Sequence, residues 1–406
     1  MKLKLIQILK SVGPAFIMAS VVIGPGSITV ASSVGSESGY ELLWVIAIST
    51  LLMVVYTSMG VRFGLTNETS FLQTVANNYS KKFAVFIGLA VFFAAASWQF
   101  GNNLGIGIAM HEITNVQAYV WPMVFTPMGI VLIFYAKNLY KILEKLMMIM
   151  VLIMILSFSV NIILIKPDLF EVSKGFIPSK SDLTDLNVIT ALVGTTFALP
   201  AAMYQAYLVK DKGWGTNNLR EGVISTNMGV VTLSLITMMI VITSGATLYP
   251  NIRVNSAAGM ALQLELLFGS YAKYIFSIGL CAAAFSSLMI NAVIGGGLLA
   301  DSLGMGRSMN TKMPRLFTAI ILTIGMIISV FFKGNVIYAM IMAQASSILG
   351  VPFIAIGLIL VLNNKKIMKN ETNNWKENLF AIVGFFLICI MVYFMYHKLI
   401  QHISTL

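Results

Sequence analysis

Charge is what this sequence has least of. Only 10% of its 406 residues are Asp, Glu, Lys or Arg, against about a quarter in an ordinary soluble domain. With 58% hydrophobic residues and a mean hydropathy of +0.88, a water-soluble globule is excluded, because a chain of this length cannot bury so much apolar surface. Cysteine is nearly missing. Cys281 and Cys389 both lie inside apolar runs, which excludes a disulfide framework and a thiolate zinc site. The three histidines, His111, His397 and His402, sit at the ends of such runs. No His/Cys/Asp/Glu cluster or nucleophile–base pair lies within them, so neither an enzyme, a bound metal nor a cofactor is expected. The N-terminal MKLKLIQILK leads straight into a hydrophobic stretch without a small-residue cleavage site, so it does not read as a signal peptide.

What the sequence does have is the apolar run of roughly 20 residues that spans a bilayer as a helix. Eleven such runs are expected, at about 12–35, 41–63, 83–110, 117–136, 140–165, 187–209, 220–248, 272–300, 315–332, 336–362 and 378–397. The fold class is therefore all-α integral membrane, a single transmembrane domain over 1–406 whose main partner is the lipid bilayer. The longest loop, Lys166 to Asp185, carries Pro167 and Pro178 and divides a first five-helix half (1–165) from a second (186–363), with an extra helix at 378–397. Asn255 to Phe268 reads as an amphipathic surface helix. The net charge of +11 is spread through short loops, so nucleic acid is not an expected partner. Lys and Arg concentrate in alternate loops, including Lys81, Lys82, Lys210, Arg307 and Lys365. That bias places the N-terminus in the cytoplasm and the C-terminus outside a bacterial plasma membrane. A monomer is expected.

Two spans carry a helix breaker near their middle. The first reads Ile23-Gly24-Pro25-Gly26-Ser27 and the sixth Phe197-Ala198-Leu199-Pro200-Ala201. Proline removes a backbone donor and clashes with the preceding turn. Lipid cannot satisfy the groups this frees, so such breaks persist only where they line a cavity. A break in the first helix of each five-span half is the pattern of inverted repeats with a binding site at the bilayer midplane. A secondary transporter of a small molecule or ion is the expected function. Gly24 to Ser27 and Ala198 to Ala201 are expected to be unwound and to face one another.

Further residues carry a resemblance over roughly 11–362. They are Gly13-Pro14, the Pro-Gly break, Gly35-Ser36-Glu37-Ser38-Gly39-Tyr40-Glu41-Leu42-Leu43-Trp44, Gly194-Thr195-Thr196, Ser286-Ser287, and Gln344 eight residues before Pro352. In this order the sequence resembles the Nramp transporters, proton-coupled manganese and iron carriers. The resemblance implies a leucine-transporter-like 5+5 inverted repeat with helices 1 and 6 broken.

The resemblance also marks what is missing. Where the family reads Asp-Pro-Gly-Asn, this chain has Gly24 and Ser27 in place of the acid and the amide. Where the family reads Met-Pro-His-Asn, it has Ala198 and Pro200 in place of the methionine and the histidine. A second family histidine becomes Gln205, and two proton-handling acids of the third span become Gln99 and Asn102. All fifteen Asp and Glu residues fall in loops or at span ends. The expected substrate contacts are thus Gly24, Pro25, Gly26, Ser27, Thr195, Thr196, Ala198, Pro200, Ala201 and Gln344, with Gln99, Asn102 and Gln205 along the path. Two restarting helix N-termini without a carboxylate favour an anion. Bicarbonate or a monocarboxylate is the first expectation. The alternatives are a divalent cation (magnesium or manganese), on family grounds, or an amino acid.

Overall fold

A backbone in lipid must satisfy its own N–H and C=O groups, and a long apolar run does so as a helix. The computed structural model describes residues 23–135, 139–179 and 186–404, and among them every regular element is helical. In chain order we label α1 Pro25–Ser38, α2 Leu43–Thr66, α3 Lys81–Thr114, α4 Val120–Tyr135, α5 Leu139–Ile165, α6 Leu186–Thr196 and α7 Leu199–Asp211. There follow α8 Leu219–Thr247, α9 Ala272–Ser302, α10 Lys312–Phe331, α11 Val336–Ser346, α12 Val351–Leu362 and α13 Trp375–Ser404. Each expected span from the second to the eleventh coincides with one of these helices or with a consecutive pair. Residues 12–22 of the first span lie outside the described residues.

Burial places the interrupted span at the centre. The apolar window of the α6–α7 stretch is 89% buried, whereas that of the final helix, α13, is only 22% buried. Phe93 on α3, Ile163 on α5 and Phe386 on α13 turn large apolar side chains outward. That is expected where the surrounding solvent is hydrocarbon. Around the centre, α9 packs along α3, α7 along α2, and α8 along both α1 and α2.

The segment expected as one amphipathic surface helix is broken into short turns, exposed on one side, with Leu262 38% and Leu266 64% exposed, and buried on the other. Ala257–Ala261, Leu262–Leu264 and Glu265–Phe268 form short helical turns, with Ala257, Met260, Ala261, Gln263 and Leu264 all buried. Gln263 reads as solvent-facing in a helical pattern, yet its amide is fully paired indoors. It donates to the Ser32 hydroxyl (3.0 Å) and the Met260 carbonyl (2.8 Å) and accepts from Thr243 (3.3 Å). Asn161 of α5 donates to the Gln263 carbonyl at 2.6 Å. The buried side of the segment packs against α1, α5, α8 and α9.

Candidate functional site

Both breaks are tighter than expected on their described sides. Gly24 is extended (φ −114°, ψ −179°) and caps α1, which starts at Pro25. Pro25, Gly26 and Ser27 are therefore helical, not unwound. Proline at the first helical position has a suitable φ and lacks only an N–H that has no helical partner anyway. In the second break α6 ends at Thr196, and only Phe197 and Ala198 are non-helical before Leu199 opens α7. Pro200 and Ala201, also expected to be unwound, lie in the first turn of α7.

The two breaks meet at one small cavity. Gly24, Gly194, Thr195 and Ala198 line it, with Trp98 of α3, Ser287 and Asn291 of α9, and Gln344 of α11. Its volume is about 10 Å³, room for roughly one water-sized particle. Of the expected contacts, Gly24, Thr195, Ala198 and Gln344 are here. Pro25 packs on Gly105 of α3, and Gly26 lies against the Gln344 side chain, so both shape the site from behind. Ser27, Thr196, Pro200 and Ala201 are buried in their helices, off the cavity. Asn102 sits beside it, its Oδ1 at 3.2 Å from where a Cβ on Gly24 would project. Gln99 donates to the Leu288 carbonyl at 2.8 Å, linking α3 to α9. Gln205 lies elsewhere. It comes about two turns beyond Ala198, and its Cβ is 3.6 Å from where a Cβ on Gly60 of α2 would sit, at the α2–α7 contact.

Sequence reasoning missed Trp98, Ser287 and Asn291 as lining residues. One signal was available. Ser287 and Asn291 are four apart on a single helix, and such pairs share a face.

The electrostatics differ from expectation too. At the start of α7 the donors are already used: Leu199 N–H to the Phe197 carbonyl (3.1 Å), Ala201 and Ala202 N–H to the Ala198 carbonyl (3.0 and 3.2 Å). Pro200 has none to offer. The free groups are acceptors. Among the described residues no backbone N–H reaches the carbonyls of Gly194, Thr195 or Thr196, the open C-terminal end of α6. Helix C-termini carry partial negative charge. Asn291 donates Nδ2–H to the Ser287 hydroxyl at 3.1 Å, while its buried carbonyl Oδ1 has no partner. The space beside Gly24 is occupied by Ser287, whose Oγ lies 2.7 Å from the missing Cβ. Among the described residues no cluster of three or more His, Cys, Asp or Glu that might hold a metal ion exists.

An all-helical bundle in which the start of α1 and the α6–α7 interruption flank a small central cavity has the leucine-transporter-like fold. Solved structures share that fold. A manganese transporter of Eremococcus coleocola matches with a TM-score of 0.75 and 17% identity, over 96% of this chain and 85% of that one. The nucleobase-cation-symport-1 transporter Mhp1 matches at 0.58 and 12% identity, over 97% and 93%. The chain belongs to the Nramp family, natural resistance-associated macrophage protein-like, whose family model matches residues 15–397. Curated relatives include the divalent metal cation transporters MntH of Nostoc sp. (24% identical over 93% of this chain and 88% of the relative) and of Listeria monocytogenes (22%, over 95% and 89%).

Proposed function

We propose that this Nramp-family transporter moves a small, hard divalent cation, magnesium or manganese, held by neutral oxygens. One observation carries the reading: Gly194 and Thr195, whose carbonyls have no backbone partner at the end of α6, line the same cavity as Asn291, whose buried Oδ1 has no partner. Backbone and amide carbonyls suit magnesium, calcium and manganese, while a thioether would favour softer metals. Ala198 supplies no thioether. The names of the curated relatives support the same cargo class.

The small-anion expectation loses one of its two helix N-termini at this cavity. It relied on N–H groups at the starts of both α1 and α7, and at α7 those of Leu199, Ala201 and Ala202 are spent on the Phe197 and Ala198 carbonyls. The basic-loop bias supports a plasma-membrane placement with the N-terminus inside and the C-terminus outside, the two halves being inverted repeats.

Calorimetry on the purified protein tests the cargo. Magnesium and manganese should each bind with a dissociation constant on the order of 0.1–1 mM, the range of weak oxygen sites. Cadmium should bind no more tightly than manganese, because no soft ligand is present. Saturable binding of bicarbonate or formate, with none of either cation, would restore the anion reading.

A further inference from the structure

The end of the bundle where α7 and α9 terminate holds a carboxylate that the cavity does not use. Asp301 is the next-to-last residue of α9 and only 3% exposed. Both of its oxygens are taken by neutral donors: Ser70 Oγ–H to Oδ1 at 2.9 Å and Tyr207 Oη–H to Oδ2 at 2.8 Å. Gln73 donates its side-chain amide to the Asp301 carbonyl, and Leu72 donates its N–H to Tyr207 Oη at 3.2 Å. Arg307, just past α9, lies 3.9 Å from Asp211 at the end of α7.

The placement of these contacts matters. The helices α7 and α9 begin their approach at the cavity, Ala198 preceding the one and Ser287 and Asn291 lying on the other. Tyr207 is about 12 Å along α7 from Leu199, and Asp301 about 15 Å along α9 from Asn291. The two helices are thus joined again well below the site. The Tyr207–Asp301 bond bridges the α7–α9 seam between the cavity and this face. The break at Phe197–Ala198 separates α7 from α6, so the two need not move as one rod.

We infer that Asp301, with Tyr207 and Ser70, is a latch that holds the transporter closed toward the Asp301 face, and that the latch parts whenever the cargo leaves on that side. A buried carboxylate keeps both neutral donors because an unpaired one would cost far more than a neutral group. The closed seam is therefore held by a pairing that water can replace only when α7 swings out.

The experiment uses the full chain with Cys281→Ser and Cys389→Ser, and Ala198→Cys as a reporter at the cavity. A membrane-impermeant maleimide is applied to either face of sealed vesicles. Tyr207→Phe should raise labelling of the reporter from the Asp301 face by at least roughly tenfold, the weight of one charge-assisted hydrogen bond. Asp301→Asn should raise it too, with no rise from the opposite face. Unchanged labelling in a variant that remains monodisperse would overturn the latch, and so would an equal rise from both faces, the mark of general loosening. Should Tyr207→Phe fail to fold, Ser70→Ala is read by the same criterion. No cargo is needed, so the result is separable from the identity of the transported ion.

Discussion

Asn291→Asp should bind manganese or magnesium about 100-fold more tightly than the unmodified protein, or better. The substitution keeps side-chain volume and places one negative charge where an unpartnered carbonyl oxygen already lies on the cavity. A carboxylate and a divalent ion about 4 Å apart attract by roughly 8 kcal/mol at an effective dielectric near 20. Burying the carboxylate costs several kcal/mol. A surplus of about 2.7 kcal/mol is enough for a hundredfold gain. The Ser287 hydroxyl, which now accepts from Asn291 at 3.1 Å, can turn and donate instead. Calorimetry measures the gain. Uptake into proteoliposomes should slow at the same time, because a tightly held ion leaves slowly. If the cation affinity does not change, Asn291 is not a ligand, and a fall would reverse the proposed sign of the site.

The second large effect is steric. Gly105→Ala should lower uptake more than about tenfold and the melting temperature by more than roughly 3 °C. A Cβ there would lie only 2.6 Å from Pro25 Cγ. Neither the proline ring nor the α3 backbone can rotate away, so α1 must shift at the edge of the site. Gly101→Ala, one turn earlier on the same helix, is the matched control. Its Cβ would meet Ala343 at an ordinary 3.5 Å, and both measurements should stay close to those of the unmodified protein. Equal behaviour of the two variants would mean that the Pro25–Gly105 contact does not hold the break in place.

These two positions also show where the sequence was legible. The glycines flanking Pro25 mark a break, because lipid makes every freed backbone group conspicuous. Its extent was not legible, since proline inside a run looks the same whether it interrupts a helix or begins one. Asn291 was passed over because an amide in an apolar run commonly bonds across a helix interface, and only the packing of α9 against the two breaks shows its oxygen left over. Asp301 reads as a span end in sequence, and it is one. Its burial depends on Ser70 and Tyr207, far away in the chain. Gln263 was illegible for a related reason. Amphipathic periodicity assumes that polar residues face water, whereas this amide faces Ser32 and Thr243.

The uncharged lining of the cavity has an electrical consequence. A carrier with an aspartate in its site crosses the membrane field as an anion when empty, and voltage acts on both legs of its cycle. Here glycine, alanine, tryptophan, serine, threonine and amides surround the cavity. The empty protein should return without moving charge, and the whole +2 of a divalent cargo should ride on the loaded leg. Each elementary charge gains about 2.3 kcal/mol per 100 mV, so the ion gains about 4.6 kcal/mol, roughly a 2,000-fold concentration ratio. An inside-negative membrane potential alone would then suffice to accumulate the ion. Transport current should steepen with voltage when external ion is saturating, while the rate of empty-carrier return stays flat.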